Sequence, residues 1–451
     1  MDSTGPPMTA YDVPRTGWKA TFASLSVPGY SVYFAGMVAF FAGMNMMIVL
    51  RGYLVYDITG SKTALALIML SVALPMLVVA PVGGVIADRI DKRTLMIWAQ
   101  AAVCVLNLIN TVLISMGIIE FWHLIVLSTL SGVAFSFNMP ARQAIIPRLV
   151  PREMLMNAMS LGSSAMNATR IVAPAIGGGL IPLIGIGGGF AVLTAMYALS
   201  VVLTLGLPKV PPAAREVRVT FFRDFAEGFS YIRSNRLVLG LLLLGTVPMI
   251  FAMPYQTLMP ALAKDTWGMG SGGLGMLQAV SGVGGLAGGL LVANMDNYPH
   301  KGRVMLIGAM AMGAFLIAFA LSPWFLGALP LLALVGLASM IFMTVNNTVI
   351  TSIIPDEVRG RVMSVMMMSF GLMPFGAVPA GIAAESLGVP VVVAAGGVLL
   401  MVTVAAAYLM FPQFRTLDGQ IRIERASRQA QQDAWDAERV PAGAGAPGGG
   451  R

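Results

Sequence analysis

The chain has 451 residues, of which 57% are hydrophobic and only 11% are charged. Soluble domains average about 25% charged residues, so apolar surface on this scale needs lipid to face it. These values exclude a soluble fold of this length. The net charge of +8 leaves a nucleic-acid partner open until the positions of the basic residues are considered.

Twelve apolar stretches of about the 20 residues that a helix needs to cross a bilayer follow one another along the chain. The segment before the first stretch lacks a short apolar core followed by a small-residue cleavage site, so we expect no removed signal peptide. The sequence therefore predicts an all-α integral membrane protein. The predicted spans cover residues 30–55, 63–87, 94–118, 121–141, 154–181, 186–207, 238–262, 271–294, 304–322, 325–350, 361–386 and 389–411.

The basic residues indicate which side of the membrane each loop faces. With the loop at 88–93 placed in the cytoplasm, all but four of the 28 Lys and Arg lie in the tails and loops on that side. The exceptions are Lys62 and Lys264 in outer loops and Arg51 and Arg170 within spans. This asymmetry follows the positive-inside rule, so the basicity reports orientation and not nucleic-acid binding. We expect a multi-pass protein of the cell membrane with both termini in the cytoplasm.

Landmarks of the first half of the chain recur in the second half. Ile145-Ile146-Pro147 recurs as Ile353-Ile354-Pro355, and Pro174 of the fifth span is matched by Pro379 of the eleventh. Parallel six-span repeats are an architecture of transporters that bind substrate near the midplane between the halves. The predicted organisation is a cytoplasmic segment 1–29, a six-helix half 30–207, an amphipathic cytoplasmic linker 208–237, a second six-helix half 238–412 and a largely disordered tail 413–451.

A charged hairpin separates the second and third predicted spans. Its motif residues are Gly84, Asp88, Arg89, Lys92 and Arg93. A tight polar turn between two helices suits a gate that is held by ion pairs and by a helix dipole. The motif resembles the signature loop of transporters of the major facilitator superfamily, at the place in the chain where that superfamily carries it. The resemblance implies the two-halved fold of that superfamily and transport by alternating access.

Three further segments narrow the resemblance. Residues 54–61, 137–143 and 355–363 look like the branch that contains the enterobactin exporter and macrolide efflux proteins. The resemblance implies that the gate loop packs on the start of the eleventh span. The gate partners that we expect on this basis are Arg142, Gly360 and Arg361.

The fifth span carries a second, partial motif. Pro174, Gly177 and Gly178 are similar to the tail of the antiporter motif of drug exporters, and we expect them to pack helices together. The upstream glycines of that motif are missing, since Arg170 and Ala173 stand in their places. The departure weakens the inference of antiport.

Chemistry for an enzyme is absent from the sequence. The chain has two His and one Cys, which form no cluster with the spacing of metal ligands. It has no G-x-x-x-x-G-K-[ST] loop to hold the phosphates of ATP. We therefore expect no enzymatic activity, no metal and no cofactor, and we infer secondary transport driven by a gradient.

Ionisable groups inside a membrane are costly and are therefore candidates for function. Arg51 and Arg170 lie within spans that line the central cavity in the superfamily, so either is a candidate to hold an anionic substrate. The alternative is a structural pairing, for Arg51 with Asp57 or by reaching outward to the interface. Further candidates, which could equally bond between helices, are Asn45, Asn167, Gln256, Gln278, Asn346 and Asn347.

The coupling of transport to protons rests on few residues. No Asp or Glu falls at mid-span, although burial of such a carboxylate would raise its pKa into a useful range. Asp57, near the outer end of the first span, is the candidate for the titrating group. The alternative is that Asp57 merely ends the span at the water interface.

We expect an exporter of amphipathic small molecules such as siderophores, macrolides or other drugs, coupled to protons. Two alternatives stay open: import or flipping of a lipid-like or nutrient substrate, since the motifs do not encode direction, and a membrane scaffold or sensor that transports nothing. The expected partners are the small-molecule substrate and membrane lipids, with no nucleic acid. We expect the protein to be a monomer.

Overall fold

The computed structural model describes residues 21–208, 229–295, 298, 300–414 and 418–419, without the side chains of 80–89, 356–357, 364 and 367–370. Within these ranges the chain is helical and contains no strand. Residues 209–228 of the linker predicted at 208–237, residues 1–20 of the N-terminal segment and most of the tail lie outside the described residues. The predicted domain boundaries therefore stay predictions.

The first four spans are single helices whose ends follow simple backbone rules. Pro28 begins the first helix. Backbone N–H groups of the first turn have no partner within the helix, so the missing N–H of proline costs no hydrogen bond there. Gly60 ends it with a φ of 60°, a left-handed conformation that glycine adopts without strain. Asp91 caps the third span by accepting a hydrogen bond from the Thr94 backbone N–H at 2.8 Å. The four helices are Pro28–Thr59, Lys62–Arg89, Lys92–Ser115 and Phe121–Leu149.

The fifth and sixth spans follow one another without a loop. Leu155–Leu205 forms 51 helical residues, interrupted at Gly185, where φ is 72° and ψ is 171°. A straight helix of that length would measure about 77 Å, against about 30 Å for the hydrocarbon core. The chain therefore turns back at Gly185, between the two predicted spans.

Two spans of the second half are broken within the bundle. The seventh is interrupted after Phe251, and the eleventh is interrupted by a 3₁₀ turn at Phe370–Leu372. The helices of the second half are Arg236–Phe251, Pro254–Ala261, Ser271–Ala293, Lys301–Ala320, Phe325–Ile353, Asp356–Ser369, Met373–Leu387 and Val389–Met410, with a π-helical turn at Leu262–Thr266.

The number of membrane crossings is consistent with the twelve that the sequence predicts. Ten segments in the described part of the chain are long and apolar enough to cross a membrane, and one of them is the kinked pair of the fifth and sixth spans. The eleventh span is not among the ten, because its two helices have only 14 and 15 residues. An all-α membrane fold of two halves accounts for all of these segments.

The two halves meet through glycines that let backbones touch. A methyl group at Gly178 of the fifth span would lie 2.4 Å from the Ser271 carbonyl oxygen and 2.8 Å from Cα of Gly275, both in the eighth span. Correspondingly, a methyl group at Gly381 of the eleventh span would lie 2.9 Å from the Lys62 carbonyl oxygen in the second. The two contacts join equivalent spans of the repeat.

We predict that Gly178→Ala destabilises the protein and that Gly179→Ala does not. The two positions are neighbours in one helix, but a methyl group at Gly179 would meet no atom within 4 Å. Overpacking at Gly178 should lower the free energy of unfolding by about 1–3 kcal/mol. The higher helix propensity of alanine should raise it by about 1 kcal/mol at either position. The unfolding midpoint of each purified variant in detergent measures the difference. Equal midpoints would show that the two halves do not depend on this contact.

Candidate substrate cavity and gates

A central cavity of about 320 Å³ lies between the two halves. Its walls come from the first, second and fourth spans of one half and from the seventh, eighth and eleventh spans of the other. Methionine side chains are flexible and polarisable, and they adapt to apolar groups of different shape. The methionines of the wall are Met44, Met47, Met69, Met76, Met139 and Met373.

Arg51 is the one charged side chain among the described residues that line the central cavity. Its Nη1 donates a hydrogen bond to Oγ of Ser128 at 3.3 Å. No carboxylate in the described part of the chain pairs with it. Gln256 and Gln278 face the same cavity from the other half. The cavity thus offers one positive charge and two amides in an apolar wall.

The other candidates on the first and fifth spans lie elsewhere. Arg170 and Asn167 are exposed, and neither lines the central cavity. Ile171 and Gly178 lie on the face of the fifth span that meets the eighth. A role of Arg170 in substrate recognition stays a prediction. Asn45 is buried and donates to the Phe41 carbonyl oxygen of its own helix at 2.8 Å.

Asn346 and Asn347 belong to a different cavity. This C-half cavity, of about 170 Å³, lies between the seventh, tenth and eleventh spans and within the second half. The structure therefore divides the polar candidates into three groups. Arg51, Gln256 and Gln278 line the central cavity, Asn346 and Asn347 line the C-half cavity, and Asn45, Asn167 and Arg170 line neither.

A set of polar contacts closes the outer end of the bundle, the end opposite the 88–93 loop. Tyr56 of the first span donates to Oδ2 of Asp265, which follows the seventh, at 2.5 Å. Lys62 lies 3.4 Å from the same carboxylate, and Lys264 lies 3.0 Å from Asp57. All three contacts connect one half to the other.

The second and eleventh spans add to this outer gate. Glu385 accepts hydrogen bonds from Oγ of Ser61 at 2.6 Å and from the Thr63 backbone N–H at 3.0 Å. Sequence reasoning missed the pairing of Tyr56, Asp265 and Glu385, because single polar residues at span ends are also typical of a membrane interface. The one feature of the sequence that could have indicated these contacts is that residues of opposite charge occupy the outer ends of both halves.

Asp57 takes part in this outer gate and not in a pair with Arg51. Its carboxylate lies 3.0 Å from Nζ of Lys264, and its side chain is 51% exposed. Arg51 lies further along the helix toward the cavity, where it bonds Ser128 instead. The suggested structural pair of Arg51 and Asp57 is therefore absent.

The predicted gate loop is only partly described. Gly84, Asp88 and Arg89 lie on the helix that ends at Arg89, but their side chains fall outside the described residues. Lys92 is buried, and Arg93 donates to the Leu205 carbonyl oxygen. Of the expected partners at the start of the eleventh span, Gly360 is exposed and Arg361 is partly buried. Their role in a gate stays a prediction.

Arg142, the third expected gate partner, is buried inside the first half. Its guanidinium lies 4.8 Å from the ring centre of Phe40, 5.5 Å from that of Phe41 and 5.6 Å from that of Tyr33. Its Nε donates to Oδ1 of Asn138 at 3.3 Å. Cation–π contacts of this kind stabilise a cation that is removed from water. The three rings lie on one face of the first span. This spacing of aromatic residues could have indicated the contact with Arg142, but the sequence analysis did not consider it.

Comparisons with known proteins agree with the fold. The model of the transmembrane secretion effector family, MFS_3, matches residues 19–439. Macrolide efflux protein A of Streptococcus pyogenes is 27% identical over 352 residues, covering 77% of this chain and 85% of that protein. Enterobactin exporter EntS of Escherichia coli O1:K1 / APEC is 29% identical over 288 residues, covering 62% of this chain and 67% of that protein.

Solved structures show the same fold at low sequence identity. The nucleoside transporter NupG superimposes with a TM-score of 0.67 and 12% identity, over 84% of this chain and 98% of that one. A bacterial homologue of the human lysosomal transporter Spinster superimposes with a TM-score of 0.63 and 15% identity, over 90% and 99%. The chain belongs to the transmembrane secretion effector family of the major facilitator superfamily, and it is a multi-pass membrane transporter and not an enzyme.

Proposed function

We propose that the protein exports amphipathic small molecules, of the siderophore, macrolide or drug-like kind, across the cell membrane. The central cavity is the observation that carries this proposal. Its methionine-rich wall suits a large apolar body, and Arg51 suits an anionic or strongly accepting group on that body. The names of the relatives, a macrolide efflux protein and an enterobactin exporter, support the same substrate class and direction.

Alternating access explains why the outer gate and the central cavity occur together. The gate contacts close the outer end, and the cavity lies further along the same spans. With the orientation given by the positive-inside rule, this is an inward-facing arrangement that receives substrate from the cytoplasm. Opening of the outer gate would then release the substrate outside.

Proton coupling is part of the proposal and acts through the outer gate. Three carboxylates, those of Asp57, Asp265 and Glu385, hold contacts between the halves near the outer water. Protonation of a carboxylate removes its ion pair and so weakens the closed gate. Outer acidity would thereby favour the outward-open state in which substrate leaves.

Transport into inside-out vesicles tests the proposed function. Erythromycin and enterobactin are offered outside the vesicles, with and without an acidic lumen, and uptake is compared with that of vesicles lacking the protein. Uptake that rises with the acidic lumen supports proton-coupled export. Movement only in the opposite direction would support the importer instead, and the absence of movement in either direction would contradict transport of these compounds.

We predict that Arg51→Gln weakens binding of an anionic amphiphile far more than binding of its uncharged form. 1-Pyrenebutyrate and its methyl ester form such a pair for fluorescence binding, since the ester has no ionisable group. Loss of a charge-assisted hydrogen bond of about 1.5–3 kcal/mol corresponds to about 10- to 100-fold weaker binding of the anion. Arg51→Lys should retain part of the preference, and the matched control Arg170→Gln should retain all of it. An equal loss for both compounds would assign Arg51 a structural role.

We predict that Asp265→Ala opens the outer gate. The change removes the acceptor for Tyr56 and the partner of Lys62. A membrane-impermeant thiol reagent applied outside should then label Ala73→Cys in the central cavity several-fold faster, in a Cys104→Ala background. Glu120→Ala is the control, because Glu120 is an outer carboxylate that accepts from Trp122 of its own half. Equal labelling in the two variants would refute the gate.

We predict that Asp57→Asn abolishes efflux driven by a pH gradient and leaves substrate binding intact. The substitution removes the carboxylate that pairs with Lys264. Asp57 does not line the central cavity, so substrate binding should be unaffected. Efflux as a function of outer pH and equilibrium binding are measured on the same preparation, with Glu120→Gln as the control. Normal pH dependence in Asp57→Asn would exclude Asp57 as the coupling group.

A further inference from the structure

We propose that a groove between the ninth and twelfth spans is a binding site for one anionic phospholipid of the inner leaflet. An acyl chain of the lipid lies along the two helices, and its headgroup lies at Arg303. Among the described residues, neither span contributes to the wall of the central cavity or of the C-half cavity. The lipid site is therefore separate from the proposed substrate path and does not depend on the proposed export.

This lateral groove has a volume of about 530 Å³ and is open to the surface of the second half. Five of its wall residues come from the ninth span, between Leu306 and Ala314, and four come from the twelfth, between Met401 and Tyr408. Ile307 is 67% exposed, and Ala314 and Tyr408 are exposed as well. In a membrane such an apolar and exposed helix face meets lipid.

The two spans touch at glycines, and the groove lies on the cytoplasmic side of that contact. A methyl group at Gly313 would lie 2.8 Å from the Gly397 carbonyl oxygen, and one at Gly397 would lie 2.7 Å from the Gly313 carbonyl oxygen. Helices that cross at an angle diverge from their point of closest approach. With the orientation given by the positive-inside rule, the wall residues extend from this contact toward the cytoplasm. The groove is therefore a space between diverging helices in the inner leaflet.

The length of the lateral groove matches one leaflet. From Leu306 to Ala314 the ninth helix rises about 12 Å, at 1.5 Å per residue. One leaflet contributes half of a hydrocarbon core of about 30 Å, which is about 15 Å. The flexible side chains of Met310 and Met401 can adapt to the shape of a chain. An acyl chain that enters from the inner headgroup region can therefore lie along the whole groove.

Arg303 lies at the cytoplasmic end of the groove, one helical turn before Ile307. Positions 303, 307, 310 and 314 have the spacing i, i+4, i+7 and i+11, which places them on one face of the ninth helix. Arg303 is exposed, and in the described part of the chain it has no ion pair. A guanidinium binds phosphate through two parallel N–H groups. It lies where the phosphate of a lipid would be if one chain filled the groove.

The neighbouring groups leave the headgroup to Arg303. Lys301 is buried, and the Gly302 backbone N–H already donates to Oδ1 of Asp418 at 2.7 Å. Tyr408 lines the same end of the groove from the twelfth span, at a depth where aromatic side chains meet the headgroups. The charge also distinguishes a lipid from a second copy of the chain. A two-fold dimer through this face would place two Arg303 side chains at the same depth, where like charges repel.

The test is a lipid titration of the purified full-length protein in detergent, read by native mass spectrometry. The probes are phosphatidylglycerol and phosphatidylcholine with the same palmitoyl and oleoyl chains, so they differ in net charge. We expect the first phosphatidylglycerol to bind about five-fold tighter than the first phosphatidylcholine, the effect of one basic side chain near a membrane surface. Arg303→Gln should make the two affinities equal. Ala405→Phe should weaken binding of both lipids several-fold, because its ring takes the space of the chain.

The matched controls are Arg152→Gln, an exposed arginine at the cytoplasmic end of the first half, and Val402→Phe, an exposed residue of the twelfth span outside the groove wall. Both should keep the affinity and the preference of the unmodified protein. Equal binding of the two lipids by the unmodified protein would overturn the proposal without any variant. Unchanged lipid binding by Ala405→Phe would show that the lipid binds elsewhere. If that variant instead turns a dimer into a monomer, the groove is a contact between copies and not a lipid site.

Discussion

The contact of backbone with backbone between the fifth and eighth spans is the constraint on which the arrangement depends. Lipid tails are as apolar as leucine, so helices in a bilayer associate through close packing instead of the hydrophobic effect. Gly178 and Gly275 permit this approach, and Gly381 permits its counterpart between the eleventh and second spans. Because both contacts hold the halves together, Tyr56 can reach Asp265 at the outer end. The central cavity is the space that remains between the halves further along.

Weak contacts at one end of the bundle and a partly buried charge in the central cavity suit a transporter that must change state. The pair of Lys264 and Asp57 is about half exposed on each side, and exposed ion pairs contribute about 0–1 kcal/mol. A gate assembled from several such contacts opens without a large barrier. Arg51 is in a drier place, where a hydrogen bond to a charged group is stronger. In the proposed function, recognition and gating therefore use the same kinds of polar and charged groups, which lie at different distances from water.

Hydropathy and motifs were sufficient to predict the fold, because the bilayer thickness determines the length of every span. It was harder to predict whether a given residue faces lipid, a cavity or another helix. A span that touches lipid on one side and a cavity on the other is apolar all round, so the sequence pattern cannot distinguish Arg51, which lines the central cavity, from Arg170, which does not. The C-half cavity was beyond prediction for another reason: its walls depend on interruptions after Phe251 and at Phe370–Leu372, within continuous apolar sequence.

We expect the end of the bundle opposite the 88–93 loop to face the outside of the cell, and the turn at Gly185 has a consequence there. A single residue joins two membrane spans there, and Gly388 does the same between the last two. The other connections at this end have two to five residues: Gly60–Ser61, Met116–Glu120, Trp267–Gly270 and Leu321–Trp324. Antibodies and proteases need several accessible residues in an extended segment. A surface with connections this short therefore offers few sites for antibody binding or for proteolytic cleavage.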